Sequence, residues 1–140
     1  MTVMPDFGYL RLHHVGIIVH DLDTAVKQYE RLGFSEPNRS RIEDQGVELA
    51  TFDSGNGYVE LVSPFVEEGG LVRYLESRGE SVHHVAYQVL DIRKELARLK
   101  NSGVDLIDEE PRRGAHDWLV AFVHPKSCHG VLTELVEIPS

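Results

Sequence analysis

The sequence predicts an α+β fold of two pseudo-symmetric βαβββ modules that form one curved sheet with helices outside. Three observations predict it. A pattern recurs at a fixed offset of 70 residues. Each copy passes from the two-residue period of a strand to the 3.6-residue period of a helix. Each copy then continues into apolar runs short enough for strands and separated by turn residues.

The first copy opens with His14-Val15-Gly16-Ile17-Ile18-Val19-His20-Asp21-Leu22 and the second with His84-Val85-Ala86-Tyr87-Gln88-Val89-Leu90-Asp91-Ile92. Val26 then matches Leu96, Tyr29 matches Leu99, Gly33 matches Gly103 and Phe52 matches Phe122. Two copies are too few, and the period too long, for a solenoid, so the repeat marks a pair of modules. We take residues 1–140 as a single domain, with module 1 at about 10–66, a connector at about 67–80 and module 2 at about 81–138. A half of about 60 residues buries its sheet poorly alone, which favours joining the two.

Element by element, Val15, Ile17 and Val19 alternate with His14, Gly16 and Ile18 as a strand. Asp21 is a helix N-cap; Leu22, Val26, Tyr29 and Leu32 form the apolar stripe, and Gly33 ends the helix. Asp91, Ile92, Leu96, Leu99 and Gly103 repeat this arrangement. Strands are expected near Phe34 to Asn38, Val47 to Phe52 and Tyr58 to Val62, and again near Leu106 to Asp108, Trp118 to Val123 and Val131 to Val136. Asp53 to Gly57 reads as a hairpin turn, and His124 to Gly130 as its longer counterpart. A short helix around Leu71 to Ser77 fits the connector, Gly69 to Gly79.

Strand side chains alternate faces. With Val15, Ile17 and Val19 under the first helix, and Val85, Tyr87 and Val89 under the second, His14 and His84 face the cup. Gly16 and Ala86 leave space beside them. The last strand of each module carries a glutamate in an apolar run, Glu60 and Glu134. They are offset by 74 residues, and the longer turn at His124 to Gly130 accounts for the four extra. Buried carboxylates are costly alone. Two of them facing two imidazoles suggest a metal site in the cup, with one divalent cation at the pseudo-twofold. This N2O2 set suits zinc, cobalt, manganese or nickel, as well as iron. His13 and His83 point the other way and read as structural. His20, His124, His129 and the lone Cys128 read as loop residues without a chemical role.

Composition narrows the partners. The chain has 140 residues, 41% hydrophobic and 26% charged, an ordinary globular balance. Its net charge of −9 disfavours nucleic acid. No apolar run is long enough to span a bilayer, and Met1 to Asp6 carries no signal-peptide pattern. A single cysteine allows no internal disulfide and suits a reducing compartment, so a cytoplasmic location is expected.

The order His, Glu, His, Glu on paired modules resembles the vicinal oxygen chelate superfamily of glyoxalases, bleomycin-resistance proteins and dioxygenases. Within it the segments resemble those of methylmalonyl-CoA epimerases. They are His14-Val15-Gly16-Ile17, Gln45-Gly46-Val47, Glu60-Leu61-Val62-Ser63-Pro64, His83-His84-Val85-Ala86, Glu110-Pro111-Arg112-Arg113-Gly114-Ala115-His116, His124-Pro125-Lys126 and Gly130-Val131-Leu132-Thr133-Glu134-Leu135. The resemblance implies metal ligands at His14, Glu60, His84 and Glu134, a small-molecule acyl-CoA substrate and a homodimer. It also exposes a departure. Some epimerases carry a proposed catalytic glutamate three residues after the glycine of the Gln-Gly-Val segment, where this chain has Leu49. Glu48 is adjacent, and serves only if a bulge re-aims it.

The reaction so implied interconverts methylmalonyl-CoA epimers. It removes the proton α to the thioester carbonyl and returns it to the other face, through an enolate stabilised by the cation. Glu134 is the first candidate base; Glu48 and His116 are candidates for the second. Arg112, Arg113 and Lys126 are the cations available to a polyanionic CoA. Two alternatives share the frame: a glyoxalase-type lyase or isomerase on another chelating substrate, and a non-catalytic binding protein of the resistance type.

Overall fold

The computed structural model describes residues 8–140. Met1 to Asp6, read above for a signal peptide, lie outside the described residues. Among the described residues, eight strands belong to one sheet, with hydrogen-bonded order β2-β3-β4-β1-β5-β8-β7-β6. They are β1 (Tyr9–Ile18), β2 (Asn38–Ile42), β3 (Val47–Asp53), β4 (Tyr58–Pro64), β5 (Ser81–Val89), β6 (Arg112–Arg113), β7 (Leu119–Val123) and β8 (Thr133–Glu137). Three helices accompany them: α1 (Leu22–Arg31), α2 (Gly70–Arg78) and α3 (Ile92–Asn101). No helix among the described residues is long and apolar enough to cross a membrane.

The chain divides into two compact units. One is His14–His83; the other joins the chain up to His13 with His84–Ser140. Each boundary falls between the histidines of a doublet. The stretch Tyr9 to His13, at the start of β1, therefore belongs with the second half of the sequence.

In the His14–His83 unit, α1 is capped by Asp21, whose side chain accepts from the N–H groups of Asp23 and Thr24. Leu22 and Val26 are buried with Val19, Ala50, Phe52 and Leu61, and Ile17 packs against them. These residues come from α1, β3 and β4, with Ile17 near the end of β1 and Val19 just beyond it, so the expected helix-side parity holds at both. Gly33 follows the helix at φ +108°, a conformation that favours glycine. The expected strand at Phe34 to Asn38 lies later, as β2. Phe34 instead closes the helix. Its N–H donates to the Tyr29 carbonyl, and its ring packs on Tyr29 and Phe52. Glu36, at φ +52° before Pro37, breaks any ladder there.

In the other unit, α3 is capped twice. Asp91 accepts from the Lys94 N–H, and Glu137 of β8 accepts from the Ile92 N–H at 2.8 Å. Ile92 and Leu96 are buried with Val89, Ala121, Val123 and Leu135. Tyr87, expected under this helix, is 39% exposed and stacks on Tyr9 instead. The strand expected at Leu106 to Asp108 is a single bridge between Leu106 and Val123. Here the Asp108 carboxylate takes the Phe122 N–H that a neighbouring strand would have used. The outer strand is β6, only two residues long, pairing Arg112 with Val120 and Arg113 with Leu119.

One sequence equivalence slips by a residue. Thr51 pairs with Glu60, and Phe122 pairs with Glu134. The structural counterpart of Phe122 is therefore Thr51, and that of the core residue Phe52 is Val123. Thr51 and Glu60 are nine residues apart, Phe122 and Glu134 twelve. The turn at His124 to Gly130 thus supplies three of the four extra residues, and the fourth enters ahead of β7. A one-residue slip reverses the face of a strand residue, so Phe52 lies in a core while Phe122 packs edge-on against His84.

Candidate functional site

Within the His14–His83 unit, β1 and β4 run parallel, with Gly16 opposite Glu60. Paired residues share a face, and so do residues two apart on one strand. His14 and Glu60 therefore stand on one face with only a glycine between strands to obstruct them. His14 is 3% exposed and Glu60 7%, and His14 Nε2 lies 3.9 Å from Glu60 Oε1. The other unit repeats the arrangement: β5 and β8 run parallel with Ala86 opposite Glu134, and His84 Nε2 lies 3.7 Å from Glu134 Oε1. His84 is 5% exposed and Glu134 7%.

These separations test the fit of a metal ion. Both exceed the hydrogen-bond range. Two ligands at about 2.1 Å from a shared ion in a tetrahedral set stand roughly 3.4 Å apart, close to what each pair shows. Among the described residues, His84 and Glu134 are buried residues whose ligand atoms lie close enough together to share a metal ion. The donor chemistry, imidazole with carboxylate, suits a divalent transition metal.

The residues around each pair are distinct. The Phe122 ring meets the His84 ring edge-on at 5.6 Å. The Arg112 guanidinium lies over the Phe122 ring, 5.6 Å from its centroid and 3.8 Å from an Asp108 carboxylate oxygen. His13 is fully buried and meets Trp118 edge-on at 4.5 Å, while His83 meets Tyr74 at 4.9 Å. His116 packs on Trp118 at 4.5 Å. It is held there by a turn in which His116 and Asp117 both take positive φ, +57° and +61°. Partial burial lowers the His116 pKa below the ordinary imidazole value.

Two expectations change. β3 pairs without interruption from Val47 to Asp53 against β4 and from Val47 to Thr51 against β2, so the bulge that would re-aim Glu48 is absent. Glu48 shares a face with its partners Arg41 and Ser63, opposite the face of Glu60, and binds Arg41 at 3.2 Å. Leu49 and Thr51, buried on the Glu60 face, are the β3 residues next to that carboxylate. The cations expected to serve a CoA each keep an acid nearby: Arg112 has Asp108, Arg113 has Asp117 at 3.9 Å and Lys126 has Asp105 at 3.5 Å. Phe122 and Thr51 escaped the sequence reading. The turn is Ser54 to Gly57, one residue shorter than the expected Asp53 to Gly57, and pairing outward from it brings Thr51 opposite Glu60.

Residues 13–122 match the family described as the Glyoxalase/Bleomycin resistance protein/Dioxygenase superfamily. The chain belongs to that superfamily. Its relatives include an ethylmalonyl-CoA/methylmalonyl-CoA epimerase of Cereibacter sphaeroides, 36% identical over 131 residues that cover 91% of this chain and 98% of that protein. The crystal structure of methylmalonyl-CoA epimerase from Mycobacterium tuberculosis superposes with a TM-score of 0.92 at 33% identity, covering 99% of this chain and 94% of that one. A methylmalonyl-CoA epimerase in complex with methylmalonyl-CoA and NH4+ superposes with a TM-score of 0.88 at 37% identity, covering 94% and 96%. These superfamily relatives are enzymes, and they share the eight-strand, three-helix architecture.

Proposed function

We propose that this protein is an epimerase of methylmalonyl-type CoA thioesters, and that His14, Glu60, His84 and Glu134 hold a divalent cation for the reaction. The observation that carries the reading is the buried imidazole–carboxylate pair repeated at one register in both modules. Similarity to epimerases across nearly the whole chain supports it. When bound, the cation supplies Lewis acidity toward the substrate's oxygens.

The remaining work falls to the side chains. Glu134 has a second carboxylate oxygen beyond the one nearest His84, and that oxygen takes the α-proton. Phe122, packed edge-on against His84, keeps water from that flank of the imidazole. His116 carries the proton for the opposite face. Its lowered pKa keeps the imidazole neutral and able to accept near neutral pH. Arg112, Arg113 and Lys126, each beside an acidic side chain, are the cations proposed to meet the CoA phosphates on a chain of net charge −9.

Incubation with methylmalonyl-CoA in D2O, followed by NMR of the α-proton, tests the reading. The expected result is loss of that signal well above the uncatalysed rate, abolished by a chelator and restored by a divalent metal. Exchange no faster than the control overturns the epimerase assignment. Exchange untouched by chelation overturns the cation.

A further inference from the structure

Thr51 is 95% buried, and its hydroxyl has no hydrogen-bond partner among the described residues. It pairs with Glu60 across the antiparallel β3–β4 ladder and shares that residue's face. A second hydroxyl, that of Ser40, is also buried without a partner. Ser40 pairs with Leu49, which is two residues from Thr51 on the same face. Two orphaned hydroxyls thus flank an apolar side chain beside a buried carboxylate, all within one unit. Buried polar groups are nearly always satisfied, and an unsatisfied one is costly. A valine would occupy the same space at position 51 without that cost.

We infer that the Thr51 hydroxyl binds substrate: it donates a hydrogen bond to an acceptor oxygen of the acyl group held on the Glu60 face. The inference rests on the reading of that face as an acyl-CoA site. It assigns a role to a residue outside the metal set and outside the candidate bases. The acceptor is either the free carboxylate of a malonyl-type acyl group or the thioester carbonyl. Ser40 supports the same group from the neighbouring strand.

The test compares wild type, Thr51→Val and Thr51→Ser by calorimetric titration with methylmalonyl-CoA and with propionyl-CoA, which has the carbonyl but no carboxylate. Deuterium exchange and the thermal midpoint are measured on the same samples. Thr51→Val is expected to weaken methylmalonyl-CoA binding by about tenfold, the scale of one lost hydrogen bond to a charged group. Its thermal midpoint is expected to stay level or rise, because an orphaned hydroxyl is removed. Thr51→Ser is expected to bind within about twofold of wild type, since it keeps the donor. Loss confined to methylmalonyl-CoA identifies the carboxylate as acceptor; equal loss for both thioesters identifies the carbonyl. Thr51→Val that binds like wild type overturns the inference, as does weakened binding matched by a fall in thermal midpoint. Wild type that binds methylmalonyl-CoA without exchanging its α-proton defeats the epimerase reading alone, and the titrations still decide Thr51. Wild type that binds neither thioester overturns both.

Discussion

His84 Nε2 stands 3.7 Å from Glu134 Oε1, too far for a hydrogen bond and close to the spacing of two ligands on one ion. A direct ion pair would draw the two atoms to about 2.8 Å. The separation gives His84→Ala a specific expected effect. The variant should lose tight metal binding, with at least a tenfold fall in affinity when an imidazole ligand is removed, while the far-ultraviolet circular dichroism stays that of wild type. Elemental analysis after dialysis measures it; unchanged metal content would remove His84 from the ligand set.

The Glu48 result makes a contrasting prediction. Its carboxylate faces Arg41 on the side of β3 away from Glu60. Glu48→Gln should therefore leave the deuterium-exchange rate within about twofold, because no proton-transfer group is removed. A hundredfold loss would mean that this side of the strand takes part in the chemistry.

His116 sets a pH dependence. Its pKa in the folded protein is lowered by burial, so below about pH 6.5 the unfolded chain takes up a proton that the folded chain resists. Stability is therefore lost as pH falls from the unfolded pKa toward the folded one, and is fully present above that window. His116→Asn, which tolerates the positive φ of the site, removes this contribution. Thermal midpoints of the two proteins should draw together, or cross in favour of the variant, between pH 7 and pH 5. A gap that widens in acid would contradict the assignment.

Gly46 ends the short turn ahead of β3 at φ +66°, and a Cβ there would meet the Val66 side chain at 2.8 Å. Its carbonyl also receives the Phe65 N–H, which fixes the start of the β3–β4 pairing. Gly46→Ala should cost about 1 to 2 kcal/mol of stability from backbone strain and contact. Denaturant titration measures the loss, and a variant as stable as wild type would show that the turn relaxes freely.

The alternation of β1 and β5 was enough to put each candidate histidine on a shared face with its glutamate, because a period of two survives any detail of pairing. α1 and α3 were equally plain, since aspartate, apolar stripe and glycine recur in order. Other features depended on partners distant in sequence. Phe34 looks like a strand residue until Tyr29 and Phe52 claim its ring. The strand expected at Leu106 fails because an aspartate side chain takes a backbone donor. The equivalence of Phe52 with Phe122 looked sound by identity, yet one inserted residue ahead of β7 exchanges core for site. The role of Glu48 turned on whether β3 carries a bulge, which no local pattern announced.

β1 serves both compact units, giving Tyr9 to His13 to one and His14 onward to the other, and β5 likewise gives Ser81 to His83 to one and His84 onward to the other. Proteolytic cleavage between His83 and His84 would therefore separate two unequal fragments. The first would carry a five-residue piece whose packing partners had left with the second. The second would expose a raw edge where that piece had been. Such fragments are suited to reassembly from a mixture of the two, and each is ill suited to life by itself.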